Sequence, residues 1–211
     1  MTSNETLKME LLREFKDVEF CRLAYAFIKE DDKKEKTFDE VMPDGVYFLY
    51  TDGSFSKDLD TSKTANYVGA KMGEKTIAVT LADFKDVTLT SGKDETTGHN
   101  YISDWDEANT DFNGAENTEH LKAIGLGDGI ELSEGDWIPS LGELRLIHLF
   151  KKDINAALSK IGGEPLADDW YWTSTEYSSA YAWPLNLSYG SQGHSTKSTY
   201  QIRVRAVSVF I

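Results

Sequence analysis

The sequence predicts an α+β domain preceded by a helical arm, and three observations carry that reading. A capped, amphipathic helix pair falls at 140–161. Short β-textured segments flank it, at 46–81 on one side and 183–205 on the other. The charge run Lys29 to Lys36 separates all of this from an amphipathic N-terminal stretch.

The arm comes first. Leu7, Leu11, Leu12, Phe15, Val18, Leu23, Ala24 and Phe27 recur at the spacing of one helical face over 5–30, and Cys21 falls inside it. Residues 1–39 therefore read as a helical arm or oligomerisation segment, and 40–211 as the main domain. The arm has two roles open to it, packing back on the domain or joining copies of the chain. In the domain, Val46–Tyr50 is a compact strand closed by the turn pair Asp52-Gly53, and Tyr67–Ala70 and Thr76–Leu81 follow as short strands. Residues 84–118 are rich in Asp, Thr, Asn and Gly and read as long loops.

Ser140-Leu141-Gly142-Glu143 is a capping box, with Leu141, Leu144, Ile147 and Phe150 on one apolar face of the helix it opens. A second helix starts at Asp153, buries Ile154, Ala157, Leu158 and Ile161, and stops at Gly162-Gly163. Beyond it, Trp183, Leu185 and Leu187 alternate with Pro184, Asn186 and Ser188, so the latter three are expected on the face opposite the core. Gly190–Thr199 reads as a polar loop, and Ile202 and Val204 alternate with Arg203 and Arg205 in a closing strand.

Composition narrows the function. The 211 residues are 40% hydrophobic and 12% aromatic, enough for a substantial core. The net charge of −14, with no basic block, argues against nucleic acid and anionic membrane as partners. That charge is uneven. From Tyr171 onward, Lys197, Arg203 and Arg205 stand against the single acid Glu176, so the segment is at +2 and the first 170 residues carry −16. One cysteine permits neither an intramolecular disulfide nor a multi-cysteine zinc site. Met1–Leu12 has no apolar core of an export signal, and no run approaches the ~20 apolar residues of a membrane span. The sequence thus carries no export address and leaves the location open, with association with a virion and display on a surface through a partner as the two alternatives.

Between Trp170 and Gln201, Tyr, Ser and Thr dominate, with Trp and His among them. Antibody-like binding surfaces use this mixture, because Tyr offers a stiff amphipathic face and Ser and Gly adaptable hydrogen bonding. A Ser/Thr-rich β-region with aromatic core residues would have the same composition, so residue order carries the decision. Trp137-Ile138-Pro139-Ser140-Leu141-Gly142-Glu143-Leu144, the Ile154–Leu158 helix, Tyr171-Trp172-Thr173-Ser174-Thr175-Glu176-Tyr177, Ala182-Trp183, Gly190, Lys197 and Arg203-Val204-Arg205-Ala206-Val207 form an ordered series. Asp111–Thr118 and Asp44–Tyr47 extend it upstream.

This series resembles the C-type-lectin-fold variable proteins of diversity-generating retroelements, whose relatives include a phage tropism determinant. It covers 137–211 well, 44–136 less, and the first forty residues not at all. The resemblance implies a C-type-lectin-like fold with two helices and short antiparallel strands. It also implies a hypervariable C-terminal surface over 171–211 that recognises a protein or glycan ligand on a cell or particle surface. In such proteins, template adenines are rewritten so that Asn-type codons become almost any pyrimidine-ending codon. The variable, ligand-contacting positions implied here are Ala180, Tyr181, Pro184, Asn186, Ser188, Tyr189, Ser191, Gly193, His194, Ser195, Thr196, Ser198, Thr199 and Tyr200. Trp183, Leu185, Leu187, Gly190 and Lys197 would be fixed scaffold. A homo-oligomer is expected from the weakness of single contacts. A fixed structural or adhesin-type appendage protein of the same fold is the alternative.

No catalytic residue, metal or cofactor is implied. The fold also reaches formylglycine-generating enzymes, which need a late cysteine pair this chain lacks. Pairing of Cys21 with His99, His120, His148 or His194 is disfavoured against a packed thiol. Glu164-Pro165-Leu166 only echoes the Glu-Pro-Asn of calcium-dependent lectins, because Leu supplies no ligand oxygen. Gly125-Leu126-Gly127-Asp128-Gly129 reads as a turn rather than a phosphate loop, with no Lys-Ser/Thr after it.

Overall fold

The computed structural model describes residues 42–92 and 100–210. The predicted N-terminal arm, Cys21 and His99 lie outside them. Eight strands form one open sheet that does not close into a barrel: β1 (Gly45–Tyr50), β2 (Phe55–Ser56), β3 (Ala65–Met72), β4 (Lys75–Val87), β5 (Trp170–Glu176), β6 (Tyr181–Asn186), β7 (Ser195–Thr196) and β8 (Ile202–Ser208). Their order is β2-β1-β3-β4-β8-β5-β6-β7. All neighbouring pairs are antiparallel except β5 with β8, which run parallel through the single register pair Tyr171 and Arg203. The helices among the described residues are α1 (Trp105–Asn109), α2 (Gly114–Ile124), α3 (Leu141–Leu149) and α4 (Lys151–Lys160).

The mixed α+β class therefore holds, with corrections to its detail. Helix α1, the start of α2 and the end of β4, from Phe84 to Val87, occupy the stretch expected to be loop. Asp104 starts α1, its carboxylate accepting the N–H groups of Asp106 and Glu107 at 3.0 and 2.8 Å. Helix α2 buries Gly114, Thr118 and Leu121, a face with correct helical spacing but only one large apolar residue. The capping box at Ser140 forms, and α4 begins two residues before the expected Asp153. Its stop is as expected: Gly162 has φ +77°, and the Gly163 N–H donates to Leu158 O at 2.9 Å.

Apolar residues gather in three clusters. The largest packs α3 and α4 (Leu141, Leu144, Ile147, Ile154, Leu158) on Phe48, Tyr50, Val68, Val79 and Val207, and continues into Tyr171, Trp183, Leu185 and Leu187. A second joins Leu89, Leu121, Ile138, Trp172, Ala182, Ile202 and Val204. Strand alternation in β1 sends Phe48 and Tyr50 to the first cluster and Tyr47 and Leu49 to a third, with Met42, Ala78 and Phe210.

Strands β4, β5 and β8 meet at one buried carboxylate. Asp83 accepts from Arg205 Nε at 2.5 Å, Tyr171 Oη at 2.7 Å and Arg203 Nη1 at 3.3 Å. Both the Asp83 and Arg205 side chains are 0% exposed. Arg205 completes its donors on Thr80 O (2.8 Å) and Glu164 O (2.9 Å). Burial and the neighbouring Asp83 charge push the Tyr171 phenol well above its ordinary pKa, so it stays a donor. A second buried group, Glu143, accepts the Ser140 N–H at 2.8 Å and Trp137 Nε1–H at 3.0 Å. Burial raises its pKa from 4.5 to about 7, against those two bonds, with the Asp111 charge adding to the rise.

Two outcomes are expected. Arg205→Met should cost about 3–5 kcal/mol in urea unfolding, because Asp83 is left charged, buried and short of its main partner. Adding Asp83→Leu should recover part of that loss in a double-mutant cycle. For Glu143 the folded-state pKa is the raised one, so its stabilising contribution is complete below pH 4.5 and lost as pH rises through about 7. Wild type should lose about 3 kcal/mol across that window relative to Glu143→Gln, and parallel stability profiles for the two proteins would refute this assignment.

Candidate functional site

The Tyr/Ser/Thr-rich tail supplies β5, β6, β7 and β8, half of the sheet, so most of it is structural before it is anything else. The site candidate is what remains at the surface where β6, β7 and their loops meet α1. Tyr181, Ser188, Tyr189, Ser191, His194, Thr199 and Tyr200 are exposed there, and Ala180, Gly193, Ser195, Thr196 and Ser198 are partly exposed.

Pro184 and Asn186 are buried, a correction to their expected solvent-facing phase. They share a strand face with Ala182, a member of the second apolar cluster, and all three are buried, so that face is covered rather than open to water. Asn186 is also consumed by the turn that follows. Its Oδ1 accepts the Ser188 and Tyr189 N–H groups at 2.8 and 3.2 Å, and its carbonyl accepts Gly190 N–H at 2.8 Å. Ser188, just past the strand, is exposed as expected.

An aromatic cluster organises the exposed part. The His194 ring stacks on Tyr177 with centroids 4.7 Å apart and planes at 20°. Tyr181 and Trp183 meet the same imidazole edge-on at 5.6 and 6.2 Å. Trp183 in turn touches Tyr177 at 5.2 Å and Trp105 of α1 at 5.6 Å, both T-shaped. Trp183 is only 2% exposed and donates Nε1–H to Ile102 O at 2.7 Å, whereas Trp105 is 49% and Tyr181 39% exposed. The buried indole thus supports the half-exposed Trp105 directly and Tyr181 through His194.

Trp105, Tyr177, Arg145 and Gln192 belong to this arrangement but not to the predicted positions. Arg145 of α3 bonds Asn109 Oδ1, Gln192 Oε1 and, at 3.1 Å, Gly190 O. Gln192 donates on to Trp105 O at 3.3 Å. Gly190 (φ +69°) closes against α3 so tightly that a Cβ would stand 2.7 Å from His148 Nε2. The sequence signal for Trp105 was Asp104 before it, a helix-capping residue followed by acids in the first turn.

Beneath the site lies a buried ion pair. Lys197 Nζ contacts Glu176 Oε1, both side chains are 1% exposed, and His120 Nε2 lies 3.3 Å from Glu176 Oε2. The Lys197 carbonyl accepts the N–H groups of Leu89 (2.8 Å) and Thr90 (3.2 Å), and its own N–H donates to Ala180 O at 3.0 Å. Lys197, Leu185, Leu187 and Trp183 are all buried. Among the described residues, no three His, Cys, Asp or Glu side chains converge as metal ligands, and no helix is long and apolar enough to cross a membrane.

Trp183→Ala should cost about 3–5 kcal/mol in thermal or urea unfolding, since it empties the support of the cluster. Tyr189→Ala, at a side chain 84% exposed, should change stability by ~0.5 kcal/mol or less. Equal losses from the two changes would mean that the exposed rings are part of the core.

No protein-family model matches the chain, and no curated protein matches it either. Among solved structures it is similar to a fimbrial protein from Bacteroides ovatus, with a TM-score of 0.53 and 16% identity over 78% of this chain and 48% of that one. At that identity the likeness is one of fold, and this chain spans about half the length of the fimbrial protein.

Proposed function

We propose that this chain is a non-catalytic, adhesin-type protein of a bacterial surface appendage, which offers the aromatic end of its sheet to a partner. The fold shared with a fimbrial protein carries this reading. The buried tail agrees with it, because β5, β6 and β8 run through the first two apolar clusters and serve as architecture. Its partners are a protein or glycan on a cell or particle surface, or further copies of the chain.

Diversification of the tail is the second reading, and one observation favours it. All of the positions implied to vary, apart from Pro184 and Asn186, are exposed or partly exposed, while Trp183, Leu185, Leu187 and Lys197 between them are buried. The motif series also occupies consecutive elements, α3, α4, β5, β6 and β8, which supports a C-type-lectin-like arrangement of them.

Mechanical shearing of intact cells, followed by immunoblotting and immunogold labelling, tests the appendage reading. The protein is expected in the sheared fraction and on the cell exterior; a signal confined to the cytosol would sink the proposal. Sequencing the 3′ end of the gene in many isolates separates the two readings. Uniform drift supports a fixed adhesin, and change concentrated at the exposed positions, beside an imperfect repeat and a reverse transcriptase, supports diversification.

A further inference from the structure

We propose that the cluster of Trp105, Tyr177, Tyr181 and His194 is a platform for an uncharged glycan, engaged by ring stacking without a metal ion. The inference rests on the adhesin reading and names the ligand class of its exposed end.

The surface chemistry selects that class. Sugar rings present C–H faces that pack on the electron-rich faces of aromatic rings, and hydroxyls that need short polar partners around them. Trp105 and Tyr181 offer half-exposed rings, and Ser178, Ser179 and Ser191 lie at or near the surface beside them. Between Tyr177 and Gln201 the only charged side chain is Lys197, which is buried against Glu176. Arg145, the cation beside that segment, already donates to Asn109, Gln192 and Gly190, so among the described residues no uncommitted cation of this arrangement meets a sulfate or sialate. Asp104, Asp106 and Glu107, all exposed around Trp105, would repel one.

A protein partner fits less well. Leu185 and Leu187, the large aliphatic residues of the same segment, are both buried, so the segment contributes rings and hydroxyls rather than aliphatic side chains to fill a pocket on a partner. The rings are also pre-set. Trp183 is fixed by its bond to Ile102 O, and the loop of Gly190 and Gln192 is tied to α3 through Arg145, so stacking a ligand orders little that is loose.

The full chain, fluorescently labelled, is applied in EDTA to an array of multivalent mannose-, galactose-, glucose- and N-acetylhexosamine-terminated oligosaccharides, printed beside sialylated and sulfated counterparts. Binding to one or more neutral sugars is expected. Trp105→Ala and Tyr181→Ser should each weaken it about ten-fold or more, and Met72→Ala, exposed on β3 in the other half of the sheet, should leave it unchanged. Melting curves establish that each variant is folded; if Trp105→Ala is not, Tyr181→Ser decides. The inference is overturned by binding to no neutral glycan, by binding to the charged sugars alone, by loss of binding in EDTA, or by full affinity in the folded variants. A silent array with the protein on the cell exterior removes only this inference, whereas glycan binding by a cytosolic protein removes the appendage reading instead.

Discussion

The carboxylate of Asp83 is the point on which the sheet turns. A charge with no water around it is tolerable only when fully paired, and here Arg205, Tyr171 and Arg203 converge on its two oxygens. Those partners come from β8 and β5, so one buried group on β4 holds the first half of the sheet to the half contributed by the tail. The β5–β8 junction has only one register pair of backbone, and side chains supply much of what fixes it. Arg205 extends the same tie to Glu164 O, and so to the segment entering β5.

The tail repeats this solution with Glu176 and Lys197. A loop of Ser, Thr, Gly and Tyr has little apolar surface with which to fold against a domain. Burying one ion pair beneath it, and giving the Lys197 carbonyl to Leu89 and Thr90, fixes the loop through directional bonds instead. Such a pair contributes less net stability than its Coulomb attraction suggests, but it penalises any register that leaves either charge alone. It also removes charge from the surface, so the face between Tyr177 and Gln201 is left to rings and hydroxyls.

The elements readable from sequence were those with a local signal. The capping box of α3, the Gly162-Gly163 stop of α4 and the compact apolar run of β1 each act within a few residues, and each stands where expected. Three features escaped because their signal is tertiary. Helix α2 buries Gly114 and Thr118 where a periodicity reading looks for large apolar residues. Gly114 is needed there because a Cβ would lie 2.1 Å from Glu143 Oε2. Strand β4 passes two register shifts, with Asp86 at φ +53°, so alternation fails just where Asp83 has its structural task. Pro184 and Asn186 obeyed the alternation, yet the opposite face was covered, and period-two patterning cannot distinguish a second core from water.

A two-sided core leaves β6 with no free face, so its exposed side chains cannot lie along the strand. They move to the strand's start and to the loops around β7, where Tyr181 meets His194 and Trp105 of α1 packs on the neighbouring Trp183. Trp183 makes the move possible, because its indole belongs to the main apolar cluster while its edges and face carry Trp105, Tyr177 and His194. Side chains on that rim can change with little effect on the core, provided the indole, the Asn186 turn and the Lys197 pair remain. The chain thus separates residues that must pack from residues free to contact, and it does so within a single stretch of sequence.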